Sequence, residues 1–403
     1  MERSPKKIKL VHVTTVPQTL GFFRGQIGFL KKRGFEIFLI SSPGELGRQF
    51  SKREGVQFFP IQMTRYINLW GDLIALIQLW IQLRKIKPDV VHAHTPKAGL
   101  LGVLSARFAG VPAVYLSIFG LPQMTMRGIR KRLMNMLTRL ACSSAHKVWC
   151  DSFSMRDFII QHRLCAKRKA VVMANGSVNG VDAIEIFSPD LYKPDIRKKI
   201  RDLLGIPRKS IVLGFSGRIA QDKGTHELAE AWRLLSACRN DLHLILIGNL
   251  EDKDPPKPQD IALFKTDPKI HLVGFQKDVP PYLAAIDIFV MPSYREGFGL
   301  SNIEASAMGL PIVSTRIPGC IDSVKDGLTG LLVPPRDVEK LVEAIQSYLN
   351  DPELRRKHGQ AGRQRVLHEF RPEMIWKDLF EGYCALLKKK GIAGGKIAPD
   401  LFI

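Results

Sequence analysis

Residues 242–248 read LHLILIG, a nearly uninterrupted apolar run that ends in a glycine. A strand with one face in water alternates apolar and polar residues, whereas a strand covered by helices on both faces is apolar along its length. Similar runs occur at Phe35–Ser41 (FEIFLIS) and Ile211–Ser216 (IVLGFS). These runs predict parallel sheets covered by helices on both faces.

Strand-like and helix-like segments alternate outward from these runs in both halves of the chain. The other predicted strands are Lys7–Thr15, Pro88–His92, Pro112–Ile118, Lys147–Cys150, Lys169–Ala174, His271–Val273, Ile286–Met291, Pro311–Thr315 and Gly330–Val333. The predicted helices are Phe22–Lys32, Leu69–Lys85, Ala98–Ala109, Arg127–Cys142, Thr225–Ala237, Ser301–Met308, Asp337–Leu349 and Pro372–Lys388. This alternation predicts an α/β protein with two doubly wound, Rossmann-like domains in tandem.

The chain has 403 residues, which is too many for one ordinary core. Turn-rich Asn175–Gly180 and the proline-containing polar stretch Ser188–Pro194 indicate a linker. We therefore predict one domain over residues 1–186, a second over 195–371, and a C-terminal helix with a basic tail over 372–403. Ligands of such folds bind at the carboxyl ends of the strands, here in the predicted cleft between the domains.

The chain is strongly basic, with a formal net charge of +22. This charge favours an anionic partner, but no zinc-finger, RNP or KH motif supports nucleic acid as that partner. Six cysteines form neither a C-x-x-C pair nor a metal-type cluster, so we expect reduced thiols and no metal. The apolar stretches Ile8–Val16 and Leu69–Leu83 are too short and too interrupted for a signal peptide or a bilayer span. The sequence predicts a cytoplasmic protein.

The segment Met291–Glu304 (MPSYREGFGLSNIE) carries two glutamates around a glycine-rich turn. A helix that begins after such a turn points backbone N–H groups at an anion, which suits a phosphate. Glu304 lies on that helix, where its carboxylate can accept hydrogen bonds from ribose hydroxyls, and Glu296 lies in the loop, where it can meet a sugar. Read on its own, the segment is also compatible with surface glutamates beside a turn.

A second segment, Phe215–Gly224 (FSGRIAQDKG), follows a strand end with a glycine and two cations. Arg218 and Lys223 at the carboxyl end of a strand can neutralise a diphosphate leaving group. In so basic a chain, ordinary surface cations explain this segment equally well when it is taken alone.

Together these segments resemble the family 4 retaining glycosyltransferases of GT-B fold, over about Lys7 to Tyr383. The resemblance rests on Glu296 and Glu304 at E-x7-E spacing, on the GR…KG pattern, and on the run SAMGLPIVSTRIPGCIDSVKDGLTGLLVPPRD. The runs His92–Gly102 (HAHTPKAGLLG) and Gly176–Phe187 (GSVNGVDAIEIF) are similar to bacterial transferases that extend undecaprenyl-diphosphate-linked capsule, O-antigen or N-glycan precursors.

The resemblance implies roles for the matching residues and a C-terminal helix that crosses back to the first domain. Arg218 and Lys223 would bind the donor diphosphate, Glu304 the donor ribose and Glu296 the transferred sugar. The implied donor site consists of Gly217, Arg218, Lys223, Glu296, Gly297, Phe298, Gly299, Leu300 and Glu304. The implied reaction is metal-independent transfer, with retention, of a hexose or N-acetylhexosamine from a nucleotide diphosphate donor, most readily a UDP-sugar, to a lipid-linked saccharide.

The first domain departs from the family pattern at one position. Relatives carry a histidine that faces the sugar in a T-x-H-G context, whereas Phe119 occupies the matching place here. His94, at the end of a predicted strand, is a candidate substitute at the catalytic centre, with a structural histidine as the alternative. Gly21 is the remaining candidate on the acceptor side.

Two segments of the first domain mix cations with large apolar residues at helical spacing, Gln123–Leu140 and Tyr66–Lys87. Such helices can lie on an anionic leaflet, although core-packed helices with a basic outer face give the same pattern. We therefore expect peripheral association with the inner face of the cell membrane. The alternatives to glycosyl transfer are a nucleotide-sugar epimerase of the same fold, a non-catalytic sugar-nucleotide-binding component of a polysaccharide assembly, and a nucleic-acid binder supported by charge alone.

Overall fold

The computed structural model describes residues 7–64, 66, 68–192 and 194–392. The first half contains the strands β1 (Ile8–Val13), β2 (Phe35–Ser41), β3 (Gln57–Pro60), β4 (Val90–His94), β5 (Ala113–Ile118), β6 (Lys147–Cys150) and β7 (Ala170–Val172). Its helices are α1 (Gln26–Lys32), α2 (Glu45–Glu54), α3 (Leu69–Ile86), α4 (Pro96–Phe108), α5 (Gly128–Ser144) and α6 (Phe153–Gln161). Ile67, part of one predicted membrane segment, and the basic tail beyond residue 392 lie outside the described residues.

The second half contains the strands β8 (Ile211–Ser216), β9 (Leu242–Ile247), β10 (Ile270–Gly274), β11 (Ile288–Met291), β12 (Ile312–Thr315) and β13 (Gly330–Val333). Its helices are α7 (Pro194–Leu203), α8 (Thr225–Cys238), α9 (Pro258–Thr266), α10 (Pro280–Ala284), α11 (Leu300–Ala307), α12 (Cys320–Ser323), α13 (Val338–Asn350) and α14 (Pro352–Glu369). The last described helix is α15 (Pro372–Lys389). Among the described helices, none combines the length and hydrophobicity that a membrane span needs.

The chain forms two compact units. One runs to Asn179 and resumes at Pro372, and the other is Gly180–Arg371. The first unit has a parallel sheet in the order β3-β2-β1-β4-β5-β6-β7, and the second a parallel sheet in the order β10-β9-β8-β11-β12-β13. In each sheet the strand order reverses beside the first strand, which is the doubly wound topology that the sequence predicts.

Each face of the first sheet is covered by its own apolar cluster. On one face, Leu79 and Leu83 of α3 pack in the same cluster as residues of α4 and α5. On the other face, Ile27 of α1 packs in a cluster with Leu379 and Tyr383 of α15. The C-terminal helix therefore completes the core of the first unit, as the GT-B resemblance implies.

The apolar run with which the prediction began is β9, all six residues of which are buried. Leu244 and Leu246 pack in one cluster of the second unit, whereas Ile245 and Ile247 pack in another. Successive side chains of a strand point to opposite faces. The run is apolar except at the buried His243 because both of its faces are covered.

The predicted linker covers two stretches, and the division between the units falls in the first of them, Asn175–Gly180. Lys193 is outside the described residues, but α7 begins at Pro194 and belongs to the second unit. Arg201 of α7 is 3% exposed and pairs with Asp287, with 2.7 Å between nitrogen and oxygen. The second unit begins at Gly180, before the predicted second domain at residue 195, and the first unit includes α15, as the predicted crossing helix implies.

Candidate functional site

The loops that follow the strands of the second sheet meet at one edge, because all of its strands are parallel. Gly217 and Arg218 follow β8, Asn249 follows β9, Phe275 follows β10, and Glu296 follows β11. The predicted donor-site residues therefore come to a single edge of the sheet, although the chain places them in two segments far apart.

Two glycines let these loops approach closely. A Cβ at Gly248 would lie 1.8 Å from the carbonyl oxygen of Gly217, and a Cβ at Gly224 would lie 1.9 Å from that of Pro292. Both glycines have positive φ, 142° and 68°, which favours glycine further. The backbone contacts that these glycines permit fix the loop after β8 against those after β9 and β11.

Lys223 and Glu296 form an ion pair with 2.5 Å between Nζ and Oε1. Their side chains are 16% and 12% exposed, so the pair is largely withdrawn from water. The hydroxyl of Ser293 donates a second hydrogen bond to the same carboxylate oxygen, at 2.8 Å. The pair places one positive and one negative group together at the edge of the sheet, as a site for a phosphate beside a sugar requires.

Arg218 is held between two carboxylates. Its guanidinium donates to Asp222 at 3.2 Å and to Glu251 at 3.1 Å, and Asp222 also pairs with Arg295 at 2.6 Å. Burial acts to raise the pKa of Asp222, but Lys223, Arg218 and Arg295 outweigh it and hold that pKa below its usual range. The Arg218 side chain remains 43% exposed, so it is positioned by carboxylates and still open to an anionic ligand.

The glycine-rich turn ends at the N-terminus of α11, as the sequence predicts. Gly299 is the residue before the helix and has a φ of 79°. The N–H groups of a first helical turn have no partner within the helix, so those from Leu300 onward point out of its start. The side chain of Phe298 packs against Phe370 in the core, with ring centroids 5.3 Å apart, and so only its backbone is placed to contact a ligand.

Glu304 lies on α11 and is half-buried. Its carboxylate has no hydrogen-bond or ion-pair partner among the residues that the structure describes. Burial raises its pKa to about 7. An unpaired, partly desolvated carboxylate is suited to accept hydrogen bonds from hydroxyl groups.

The structure adds residues that the sequence did not single out. Glu251 and Asp222 accept hydrogen bonds from Arg218, and Arg295 donates to Asp222. Glu251 lies 33 residues from Arg218 in the chain, and Arg295 lies 73 residues from Asp222. Phe275 is 75% exposed at the end of β10, and its N–H donates to the side chain of Asn249 at 2.9 Å. A signal was present for Phe275, since the predicted strand His271–Val273 is followed by a glycine and then by this large aromatic residue.

The candidates in the first unit lie in a different environment. His94 is fully buried, and its Nε2 lies 2.9 Å from Nδ1 of the equally buried His12. Its ring is covered by Phe23 at 4.7 Å and by Phe119 at 5.7 Å between centroids. Burial holds the pKa of His94 well below its usual range, so the ring is neutral.

A contact between His94 and a substrate would therefore require the covering phenylalanines to move. Phe119 itself is half-buried, in the place where relatives are expected to carry a histidine. Gly21 lies exposed in a short 3₁₀ helix, Pro17–Phe23. The role of these three residues on the acceptor side stays a prediction.

Two groups in the described part of the chain have ligand atoms close enough for a metal ion, His12 with His92 and His94, and His226 with Glu230 and Asp260. Both nitrogens of His92 are hydrogen bonded, to Tyr383 at 2.5 Å and to Ser117 at 2.6 Å. In the second group, Nδ1 of His226 is hydrogen bonded to the carboxylate of Asp260 at 2.9 Å. The expectation that the enzyme needs no metal stays a prediction.

Comparisons with known proteins assign this arrangement to a family. The family model described as "Glycosyl transferase 4-like domain" matches residues 23–176, and "Glycosyl transferases group 1" matches residues 196–365. The chain is 32% identical over 384 residues to the capsular polysaccharide biosynthesis glycosyltransferase CapM of Staphylococcus aureus, covering 95% of this chain and 99% of CapM. The chain belongs to the group 1 glycosyltransferases.

This glycosyltransferase is also similar to a UDP-Gal:alpha-D-GlcNAc-diphosphoundecaprenol alpha-1,3-galactosyltransferase of Escherichia coli, with 29% identity over 360 residues, 88% of this chain and 91% of the relative. Among solved structures, Anabaena HepE in complex with UDP-glucose matches with a TM-score of 0.76 and 19% identity, covering 94% of this chain and 100% of HepE. The structural likeness shows the GT-B fold. Family membership makes the protein a glycosyltransferase, as the sequence predicted, and disfavours the epimerase and non-catalytic alternatives.

Proposed function

We propose that this enzyme transfers a hexose or N-acetylhexosamine, with retention of anomeric configuration, from a UDP-sugar to a lipid-linked saccharide in cell-surface polysaccharide or glycan synthesis. The observation that carries the proposal is the half-buried pair of Lys223 and Glu296 beside Arg218, at the carboxyl edge of a Rossmann-like sheet. The names of the CapM and galactosyltransferase relatives support the acceptor class and the pathway.

The chemistry that we assign to the site is the departure of a diphosphate. The bond between the anomeric carbon and the diphosphate oxygen breaks, and a bond from that carbon to an acceptor hydroxyl oxygen forms. The proton of that hydroxyl passes to the departing diphosphate. Negative charge grows on the departing oxygen in the transition state, where Arg218 and Lys223 stabilise it. In this proposal the two cations supply the countercharge without a metal.

We assign the other groups by their environment. Glu296, held in place by Lys223 and Ser293, lies against the transferred sugar. Glu304 accepts hydrogen bonds from the ribose hydroxyls, and the N–H groups at the start of α11 contact the diphosphate. The exposed ring of Phe275 provides a surface on which the nucleobase stacks.

We further propose that the enzyme works while bound peripherally to the inner face of the cell membrane. A lipid-linked acceptor is confined to the membrane, and the chain is strongly basic, which favours an anionic leaflet. That the enzyme binds no nucleic acid stays a prediction, and salt-dependent binding to DNA without any sugar-nucleotide binding would contradict it.

A transfer assay tests the function. Purified enzyme is incubated with UDP-glucose, UDP-galactose or their N-acetyl forms and a saccharide linked to a short polyprenyl diphosphate, and the product linkage is determined by NMR. We expect an α-linked product from one of these donors. Turnover by Arg218→Ala should fall about 100-fold or more while donor affinity falls less, because the charge on the leaving group develops in the transition state.

The matched control is Arg356→Ala, since Arg356 is an exposed arginine of the same unit paired with a neighbouring carboxylate on α14. It should retain the turnover of the parent. A β-linked product, or equal loss in both variants, would contradict the proposed mechanism.

A further inference from the structure

Helix α3 exposes a continuous apolar stripe. Only one side of the helix packs into the core, through Ala75, Leu79, Leu83 and Ile86. The side chains on its outer side are 39% to 80% exposed, namely Leu69, Trp70, Leu73, Ile74, Ile77, Trp80 and Ile81. Trp70, Ile74, Ile77 and Ile81 recur every three or four residues, so they lie along a single face.

The stripe is a fixed feature of the fold. The side chain of Asn68 accepts from the N–H of Gly71 and so caps the start of α3. Within the first turn of the helix, Asp72 pairs with Lys97 of α4 at 2.6 Å, and both side chains are largely buried. Because the start of α3 is capped and tied to α4, the exposed tryptophan at position 70 is presented by an ordered helix.

Helix α5 presents a second surface of related chemistry. Of the seventeen residues of α5, only Ala141 and Cys142 are buried. Its large exposed apolar residues are Ile129, Leu133, Met136 and Leu140. Its exposed cations are Arg130, Arg132 and Arg139. Because α3 and α5 both pack on α4 over the same face of the sheet, their outer sides belong to one surface of the first unit.

The charges of this surface identify its partner. Helix α5 carries no Asp or Glu, and the single acidic residue of α3, Asp72, is neutralised by Lys97. Arg84 and Lys85 stand at the end of the apolar stripe. Two copies of this chain would bring like charges together, whereas an anionic lipid surface offers both the missing charge and an apolar interior. Monomeric soluble proteins rarely expose so large an apolar patch without a partner.

We propose that α3 and α5 form a docking surface for an anionic lipid leaflet. The α3 stripe enters the boundary between headgroups and acyl chains, where tryptophan is favoured, and the cations of α5 contact the headgroups. This inference names the surface through which the proposed peripheral membrane binding occurs, and so it rests on the proposed function. It is nevertheless tested separately from donor binding, which we assign to the second unit.

Vesicle flotation tests the proposal with the full chain. Phosphatidylcholine vesicles are prepared with and without phosphatidylglycerol, and the parent is compared with the double variant Trp70→Ser, Ile77→Ser. The control is Leu203→Ser, because Leu203 is a 72% exposed leucine on α7 of the second unit. We expect the parent and the control to float with the phosphatidylglycerol vesicles and the double variant to bind them about tenfold or more weakly.

A second variant, Arg130→Gln with Arg132→Gln, tests the charge without changing the apolar stripe. We expect it to lose most of the preference for phosphatidylglycerol. Tryptophan emission gives an independent readout, since Trp70 and Trp80 are exposed whereas Trp149 and Trp232 are buried. The emission of the parent should shift to shorter wavelength on adding anionic vesicles, and bromine-labelled acyl chains should quench it.

Three outcomes would overturn the proposal: a parent that does not float, a double variant that floats as the parent does, or a parent that dimerises through α3 without binding vesicles. UDP binding by the same samples separates the two proposals. A parent that binds UDP but not vesicles overturns the docking surface alone. A parent that floats but binds no UDP overturns the donor site and leaves the docking surface standing.

Discussion

Glu304 is the residue of the candidate site whose ionisation lies within an easily measured pH range. Its pKa is raised to about 7 by burial, so near neutral pH the unliganded enzyme holds it partly protonated. If the carboxylate accepts hydrogen bonds from the ribose hydroxyls, binding favours the ionised form and releases a proton. Affinity for UDP should therefore rise with pH through about 7.

Titration calorimetry over this range, in buffers of different ionisation enthalpy, measures both the affinity and the proton release. Glu304→Gln keeps the shape of the side chain and removes the titration. Its affinity for UDP should be lower at high pH and should lose the rise seen in the parent. A parent whose affinity does not change with pH would show that Glu304 does not bind the ligand in its ionised form.

Phe275 tests the nucleobase end of the site. Stacking of a base on an aromatic ring contributes about 1–3 kcal/mol, so Phe275→Ala should weaken UDP binding about 5-fold to 150-fold. Inorganic diphosphate has no base, and the variant should bind it as the parent does. Competition of each ligand with a fluorescent UDP analogue measures both. An equal loss for both ligands would mean that the substitution disturbs the loops rather than a stacking contact.

At the scale of the element, α7 shows why a short polar helix can be essential to the second unit. Arg201 donates to the carbonyl oxygens of Ala285 and Ser210 and to the carboxylate of Asp287. Removing it leaves the two carbonyl oxygens without this donor and takes from Asp287 one of its two arginine partners, since Arg197 remains at 2.6 Å. Breaking a buried ion pair costs about 3–5 kcal/mol. Arg201→Ala should therefore destabilise the second unit by about 3 kcal/mol or more.

Thermal unfolding of the two variants Arg201→Ala and Lys198→Ala measures this cost. Lys198 lies on the same helix, is exposed, and should tolerate the change with a loss well under about 1 kcal/mol. Equal melting temperatures for the two variants would show that the Arg201 contacts of α7 do not stabilise the second unit.

The elements that the sequence predicted are those that bury an apolar face. The strand β9 and the amphipathic α13 have such faces, and so their composition indicates their structure. The helices α7 and α14 are rich in charged residues and are held by specific polar contacts, such as the one between His358 and Tyr348 at 2.7 Å. Composition does not reveal those contacts, and neither α7 nor α14 was predicted as a helix.

The candidate site likewise contains residues that the sequence predicted and residues that it did not. Arg218, Lys223, Glu296 and Glu304 stand in short segments whose glycines and charges are visible in the sequence. The carboxylates that hold Arg218 were not predicted, because pairing between residues as far apart as Arg218 and Glu251 depends on strand order. The expectation for His94 missed its burial, since a strand end in the sequence does not show which rings will cover it.

At the scale of the whole molecule, acid should destabilise the fold through a buried histidine cluster in the first unit. Burial lowers the pKa of His12 to about 3 and holds the pKa values of His92 and His94 well below their usual range. The folded state keeps these rings neutral, whereas the unfolded chain takes up protons below about pH 6.5. The free energy of unfolding therefore has its full value above about pH 6.5 and decreases as the pH falls below that value.

Urea unfolding followed at several pH values from about 7.5 to 5 tests this dependence. Each of the three histidines should lower the free energy of unfolding by up to about 1.4 kcal/mol per pH unit. His12→Asn removes one titrating group, and its curve should be correspondingly less steep. His162, an exposed histidine on the surface of the same unit, gives the control His162→Asn, which should keep the slope of the parent. A stability that is constant over this range would contradict the account of the cluster.

We propose that the carboxyl edge of the second sheet binds the diphosphate of a sugar nucleotide through Arg218 and Lys223. Titration calorimetry with UDP and with uridine, on the parent and on Arg218→Ala, Lys223→Ala, tests it most directly. The matched double variant is Lys340→Ala, Arg356→Ala, which removes two exposed cations of the same unit. We expect the site variant to bind UDP about 100-fold or more weakly, because it loses two charge-assisted contacts. The control should bind UDP as the parent does, and all three proteins should bind uridine equally. Equal affinity of all three proteins for UDP would contradict the claim.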